Sequence, residues 1–178
     1  APEGTPERDR LTVDYRTATQ TVIGFVGNGQ VFVDIGQGFE GATRRVSWNG
    51  VERFEILSGS GNDRLGGGHD PDTLNGGAGI DEWTDSFILF EGDLVINMQQ
   101  IATTGATLAD GSVIRNMEYL LNTYLGLGDD TFRDFGPYDD YVIGNAGDDD
   151  LGSSGGRDRL EAGNGTDTLT INWGNAAQ

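Results

Sequence analysis

The amino-acid sequence predicts an all-β chain in which short parallel strands wind as a coil, and three observations carry this expectation. Within Ser58–Thr84 three nonapeptides follow one another. Asp63, Asp72 and Asp81 fall nine residues apart, each followed two positions later by a large apolar residue (Leu65, Leu74, Trp83). A second array repeats the pattern with Asp140, Asp149, Asp158 and Asp167, followed by Val142, Leu151, Leu160 and Leu169. Asp130 with Phe132 precedes it, one residue out of step. Outside the arrays apolar and polar residues alternate over short stretches, and no long amphipathic helical pattern occurs.

Each part of the nonapeptide has a physical reason. Glycine at positions one, two and four (Gly59 and Gly61, Gly77 and Gly79, Gly147, Gly156, Gly165) lets the chain turn sharply and brings carbonyl oxygens close together. The aspartate adds a hard anionic oxygen, and carboxylate plus carbonyl oxygens are the ligands calcium prefers. The apolar residue two positions on lies in a short extended piece and points to one side. One nonapeptide is therefore a loop and a short strand. If two make one turn, loops 18 residues apart stack and share an ion, and the apolar residues of both sides meet inside. The best-matched pairs are Asp63 with Asp81, Asp149 with Asp167, and Asp140 with Asp158.

In chain order, 1–8 is rich in Pro and charge, and 11–15 alternates like a half-buried strand. Strands over 21–26 and 31–35 are expected on either side of a tight turn at Gly27-Asn28-Gly29, followed by a loop over 36–43. Strands at 45–48 and 51–57 flank Asn49-Gly50 and lead into the first array. After it, strands are expected at 87–90 and 94–98 across Glu91-Gly92-Asp93, then a turn or loop over 101–111. The segment 112–122 suits a strand or a short helix.

The arrays resemble the glycine- and aspartate-rich calcium-binding repeat of RTX (hemolysin-type) proteins, G-G-x-G-x-D-x-U-x, over 58–84 and 125–170. The resemblance implies a parallel β-roll in which each aspartate supplies carboxylate oxygens and loop carbonyls complete the calcium shell. It also implies export through a type I secretion system and folding triggered by calcium outside the cell. The departures are local. Asp70 and Tyr138 stand where the fourth-position glycine belongs, Asp72 has no clear loop 18 residues away, and Asp130, 19 residues from Asp149, requires a bulge.

A larger repeat lies above the nonapeptide. Asp9–Tyr15 resembles Asp167–Trp173 and, more loosely, Asp85–Phe90, while Val51–Phe54 resembles Met117–Leu120. This divides the chain into a first unit, 1–84, with a strand patch at 9–57 and an array at 58–84, and a second unit, 85–178. The second has a patch at 85–124, an array at 125–170 and the start of a third unit at 167–178. Such additive architecture, and a chain that begins at Ala1 without Met, lead us to expect a longer parent polypeptide on both sides.

Composition narrows the function. The net charge is −18, all eleven basic residues are arginine, and there is no cysteine. Nucleic acid and anionic membrane are unfavourable partners for such a surface, and no segment is long and apolar enough to span a bilayer. His69 is the only histidine, so neither a Ser-His-Asp triad nor a zinc site has its parts, and no catalytic residue is assigned. The expected role is a calcium-dependent structural module of a larger secreted or cell-surface protein, such as an adhesin segment, with other repeat units of the same parent chain as neighbours. The alternative is a carbohydrate-binding accessory module that contacts a polysaccharide through exposed aromatics. Trp83 and Phe132 are expected in the core, leaving Trp48, Tyr124, Tyr138, Tyr141 and Trp173 to weigh.

Overall fold

The computed structural model describes residues 8–25, 30–33, 44–134 and 136–172. The expected turn at 27–29 and loop at 36–43, and Trp173, lie outside these residues. In chain order the elements are β1 (Arg10–Asp14), β2 (Val22–Phe25), β3 (Gln30–Val33), β4 (Arg44–Ser47), β5 (Arg53–Leu57), β6 (Arg64–Gly66), β7 (Thr73–Asn75), β8 (Glu82–Thr84) and β9 (Val95–Asn97). Then come the helix α1 (Met98–Thr103), β10 (Ala106–Thr107), β11 (Val113–Arg115), β12 (Tyr119–Leu120), β13 (Thr123–Tyr124), β14 (Thr131–Arg133), β15 (Tyr141–Ile143), β16 (Asp150–Ser153), β17 (Arg159–Glu161) and β18 (Thr168–Ile171).

The chain is mostly β, and its sheets are mainly parallel. Their strand orders are β1-β5-β7-β11-β10, β12-β8-β6-β2-β3-β4, β13-β15-β17 and β18-β16-β14-β9. Within an array, consecutive strands go to alternate sheets. Each pairs in parallel with a strand two places back, so Ile56 lies opposite Leu74, Leu65 opposite Trp83, Val142 opposite Leu160 and Leu151 opposite Leu169. The antiparallel pairs are β2–β3–β4 and β10–β11.

This alternation places the apolar residue of every repeat on the inner side. Leu65, Leu74, Trp83, Phe132, Val142 and Leu151 are wholly buried. They join Ile56, Ile96, Ile114, Met117 and Leu120 from the intervening segments in one core. Outside the arrays the same columns continue by longer detours: Ile114 pairs opposite Leu74, and Leu120 opposite Trp83. Trp83 meets Phe87 edge to face with ring centroids 6.3 Å apart. The core thins at the last strand, where Leu169 and Ile171 are half exposed.

The structure departs from the sequence expectation in three places. Residues 87–90 form a turn, closed by the Phe90 N–H on the Phe87 carbonyl at 2.8 Å, with Leu89 exposed. They serve as a loop layer under the second array, and the Leu127 N–H donates to the Phe90 carbonyl at 2.7 Å. The stretch 101–111 begins inside α1, which starts where the Asn97 side chain accepts the Gln100 N–H at 3.0 Å and buries Met98 and Ile101. It ends beside Gly105, whose φ of 79° carries the chain into β10. Finally, β14 and β16 pair in unbroken register, Thr131 to Asp150 through Arg133 to Gly152, so the 19-residue interval needs no bulge. The extra residue lies in the turn between β14 and β15. Segment 112–122 resolves as strands β11 and β12.

Leu74 sits in β7, between β5 and β11, with no exposed surface. Leu74→Ala is expected to lower unfolding free energy by about 2–5 kcal/mol, whereas truncation of the exposed Leu89 should change it by less than about 0.5 kcal/mol; urea unfolding measures both.

Candidate cation sites

The repeat aspartates stand at strand heads, where they are pulled inward. Asp63, Asp72, Asp81, Asp130, Asp140 and Asp149 are all buried. In each case one carboxylate oxygen accepts a main-chain N–H from the head of a neighbouring strand. Val22 donates to Asp63 Oδ1 at 2.7 Å, Asp63 to Asp81 Oδ1 at 2.8 Å, and Asp81 to Glu118 Oε2 at 2.7 Å. Leu94 donates to Asp130 Oδ1 at 2.7 Å, Asp130 to Asp149 Oδ1 at 2.8 Å, and Asp149 to Asp167 Oδ1 at 3.0 Å. Leu120 donates to Asp140 Oδ1 at 2.6 Å and Asp140 to Asp158 Oδ1 at 2.9 Å, while Phe54 donates to Asp72 Oδ1 at 2.8 Å. The three pairs expected from the 18-residue spacing are thus adjacent in space. Asp72 has a different neighbour: its N–H donates to Ser112 Oγ at 3.2 Å.

A second ladder runs the other way from the residue just before the aspartate. Asn62 Oδ1 accepts the Ile80 N–H at 3.1 Å, Asp129 Oδ1 the Asp148 N–H at 2.8 Å, Asp148 Oδ1 the Thr166 N–H at 2.7 Å, and Asp139 Oδ1 the Arg157 N–H at 2.8 Å. Sequence reasoning overlooked this role, although the doublets Asn62-Asp63, Asp129-Asp130, Asp139-Asp140 and Asp148-Asp149 carry its signal. Glu52 and Glu118 hold equivalent places in the similar segments Val51–Phe54 and Met117–Leu120. Glu52 Oε2 accepts the Asp9 N–H at 3.1 Å, so Asp9 meets Glu52 as Asp81 meets Glu118.

Glycine lets the loops stack this closely. At Gly77 (φ 89°) a Cβ would lie 2.1 Å from the Gly59 carbonyl oxygen, and at Gly79 (φ 142°) 2.2 Å from that of Gly61. The same approach recurs from Gly147 to the Gly128 carbonyl, from Gly165 to that of Gly147, and from Gly156 to that of Tyr138. In the first array, loop 58–63 rests on Ala18 and Gln20, which sequence reasoning did not count as a loop layer.

The second carboxylate oxygens divide into two groups. Those of Asp72 and Asp130 accept the Gly68 N–H at 3.0 Å and the Gly126 N–H at 2.8 Å, and that of Asp158 accepts from Ser153 Oγ. Those of Asp63, Asp81, Asp140 and Asp149 are buried without a hydrogen-bond partner. Carbonyls lie beside them: where a Gly76 Cβ would sit, the Asn116 carbonyl is 2.1 Å and Asp81 Oδ2 2.5 Å away. At Gly144 the Ala162 carbonyl is 2.1 Å and Asp149 Oδ2 2.4 Å away. At both points the glycine brings a loop carbonyl close to a carboxylate oxygen, and a side chain there would clash with both.

Among the described residues, the ion pairs of Arg10, Arg64, Arg133 and Arg157 go to Glu55, Glu82, Asp150 and Asp139, not to the eight repeat aspartates. Burial raises the carboxyl pKa to about 6 for Asp72 and Asp130 and to about 7 for Asp81. It also raises the values of Asp63, Asp140 and Asp149. Among the described residues no group of three or more His, Cys, Asp or Glu side chains gathers to hold a metal. At Asp81 and Asp149 a carboxylate oxygen lies beside a loop carbonyl, a donor set that fits a hard, oxygen-liganded cation such as calcium and suits a softer transition metal poorly.

His69 is exposed, with Nδ1 3.3 Å from the Ser86 carbonyl. No helix among the described residues is long and apolar enough to cross a membrane. Comparison with protein-family models, with characterised proteins and with solved structures returns no match.

The raised pKa values set a pH dependence. The folded carboxyls hold protons more tightly than the unfolded ones, whose pKa is 3.8, so their protonation stabilises the fold fully below that value. This stabilisation is lost as pH rises through about 6–7. In chelator, the melting temperature is expected to rise by several degrees as pH falls from about 8 to about 5, as thermal circular dichroism would record.

Proposed function

We propose that the chain is a calcium-dependent structural module of a larger secreted or cell-surface protein, wound as a parallel β-roll of the RTX type. One observation carries the proposal: in stacked glycine loops, four buried carboxylates (Asp63, Asp81, Asp140 and Asp149) each keep one oxygen without a donor. A buried anion left uncompensated costs several kcal/mol, and a cation shared with loop carbonyls removes that cost. The alternation of strands between sheets and the 18-residue pairing support the coil.

Extracellular calcium modules bind at about 10⁻⁴–10⁻³ M, so sites of this kind fill outside the cell and stay empty within it. At tenfold excess over Kd each independent site adds about 1.4 kcal/mol to folding. A chain without cysteine gains from calcium the cross-linking that disulfides supply elsewhere.

The aromatic residues support a structural role over carbohydrate binding. Trp83 and Phe132 are in the core. Trp48 packs on Phe54 at 4.8 Å, Tyr119 and Tyr138 stack on each other at 5.9 Å, and Arg159 covers Tyr141 at 4.7 Å.

Far-UV circular dichroism of the chelated protein tests the proposal. Calcium near 10⁻³ M is expected to produce a cooperative gain of β signal that magnesium does not, and the double substitution Asp63→Asn with Asp81→Asn to shift the midpoint upward at least about threefold. A protein already folded in chelator and indifferent to calcium would overturn it.

A further inference from the structure

The dipeptide Asn-Gly occurs four times in the chain, at Asn28, Asn49, Asn75 and Asn164. It is a pair of residues unusually prone to rearrange without an enzyme. The main-chain nitrogen of the glycine attacks the amide carbon of the asparagine side chain, and a glycine has no Cβ to shield that nitrogen. In a folded protein two conditions must hold. The glycine N–H must be free to give up its proton, and the main chain must be free to bend until its nitrogen meets Cγ. Asn28 lies outside the described residues, and the structure separates the other three on these two conditions.

At Asn75 neither condition holds. The asparagine is in β7, where its carbonyl accepts the Ser58 N–H at 2.9 Å, and the buried Gly76 donates its N–H to the Arg115 carbonyl at 3.1 Å. The side chain is tied as well, with Oδ1 accepting the Gly77 N–H at 3.1 Å and Asn116 Nδ2 at 2.7 Å. At Asn164 the main chain is fixed within the stacked loops. Its N–H donates to the Asn145 carbonyl at 2.9 Å and its carbonyl accepts the Gly147 N–H at 3.0 Å. Gly165 lies so close to the Gly147 carbonyl that a Cβ would overlap it.

Asn49 is held by none of these ties. With Gly50 it stands in the link between β4 and β5, which belong to different sheets, and both residues are exposed. Gly50 has a φ of 67°, and among the described residues nothing lies within 4 Å of the place its Cβ would take. Among the described residues, neither the Asn49 amide nor the Gly50 N–H has a hydrogen-bond partner. Trp48 and Val51, on either side, pack against the core, and the Trp48 ring lies 4.8 Å from that of Phe54. The reacting pair is therefore a free span between two anchored residues.

We propose that Asn49 is a modification site, which in the folded protein converts spontaneously to aspartate and isoaspartate. The Gly50 nitrogen loses its proton to hydroxide and bonds to Asn49 Cγ. The side-chain nitrogen takes up a proton and leaves as ammonia, which closes a succinimide ring. Water then opens the ring. Cleavage between the ring nitrogen and Cγ gives aspartate. Cleavage between that nitrogen and the main-chain carbonyl carbon gives isoaspartate, in which the chain runs through the former side chain and gains a methylene. Either product adds a negative charge to the link, and no electrons are transferred. The inference stands on the geometry of this link and is independent of the calcium reading.

The test incubates the whole chain in calcium at mildly alkaline pH, so that the loops are stacked whether or not they need the ion. Trypsin digestion and mass spectrometry follow. Cleavage after Arg45 and Arg53, after Arg64 and Arg115, and after Arg159 puts Asn49, Asn75 and Asn164 in separate peptides. Deamidation at Asn49 is expected to run at least about tenfold faster than at Asn75 or Asn164, since only the link is open without local unfolding. An isoaspartyl methyltransferase should label peptide 46–53, and Asn49→Gln should remove both signals from it. In urea the three sites should convert at comparable rates, because the ties that protect Asn75 and Asn164 are gone. Equal rates at the three sites in the folded protein would overturn the assignment, as would a preference for Asn49 that persists unchanged in urea.

Discussion

The fold depends on hydrogen bonds from side chain to main chain that tie each strand head to its neighbours. Strands of three residues leave the parallel ladder few rungs of its own, and isolated strands this short have little reason to pair. At the strand heads of the arrays the aspartate reaches back to an N–H at the head of the preceding neighbour strand, and the residue before it reaches forward to the loop before the next. The two directions together fix the distance between loops from both sides. Where the acceptor is an ionised carboxylate, the bond is shorter and stronger than a neutral one. Where the chain leaves the arrays, Ser112, Glu118 and Glu52 take over the acceptor role, so the tie persists through segments with no nonapeptide pattern.

The inside of the molecule therefore sets two tendencies against each other. One inward residue per repeat builds a dry core from Leu65, Leu74, Trp83, Phe132, Val142 and Leu151. Next to it, at every strand head, sits an acid that burial disfavours as an anion. The arginine pairs on the outer faces contribute little to this balance, since exposed ion pairs are worth about 0–1 kcal/mol each. On the calcium reading, the arrays can only be as stable as the ions that occupy them. The core between the arrays, with Ile96, Met98, Ile101, Ile114 and Met117, carries no such condition.

Much of this was legible in the sequence, because the period of nine fixes which residues share a face. The core positions and the adjacency of Asp63 with Asp81, Asp140 with Asp158 and Asp149 with Asp167 follow from it directly. What was not legible depends on contacts between residues far apart in the chain. Phe87–Phe90 has the composition of a strand but stacks as a loop under residues 126–128, a role its own residues do not announce. Helix α1 is one short segment held by the Asn97 cap and two buried side chains, below the length at which periodicity speaks. Ser112 replaces an acid across 40 residues of intervening chain, and no local pattern marks it. Asp85 is buried in the core, its carboxyl held by Trp83 Nε1 at 3.2 Å and the Ser86 N–H at 2.8 Å, where an apolar residue was to be expected.

Uniform repeats have a weakness that the turn between β14 and β15 corrects. If every interval were nine residues, a coil that slid by one full turn would find the same glycines, the same acids and the same core residues waiting for it, and nothing would distinguish the slipped chain from the native one. The ten-residue interval between Asp130 and Asp140 breaks that translational symmetry. A slide of 18 residues across it puts Thr131 or Asp148 at a strand head and the charged Arg133 or Asp150 in the core. A single added residue thus serves as an alignment mark, giving an otherwise periodic chain one frame in which to close.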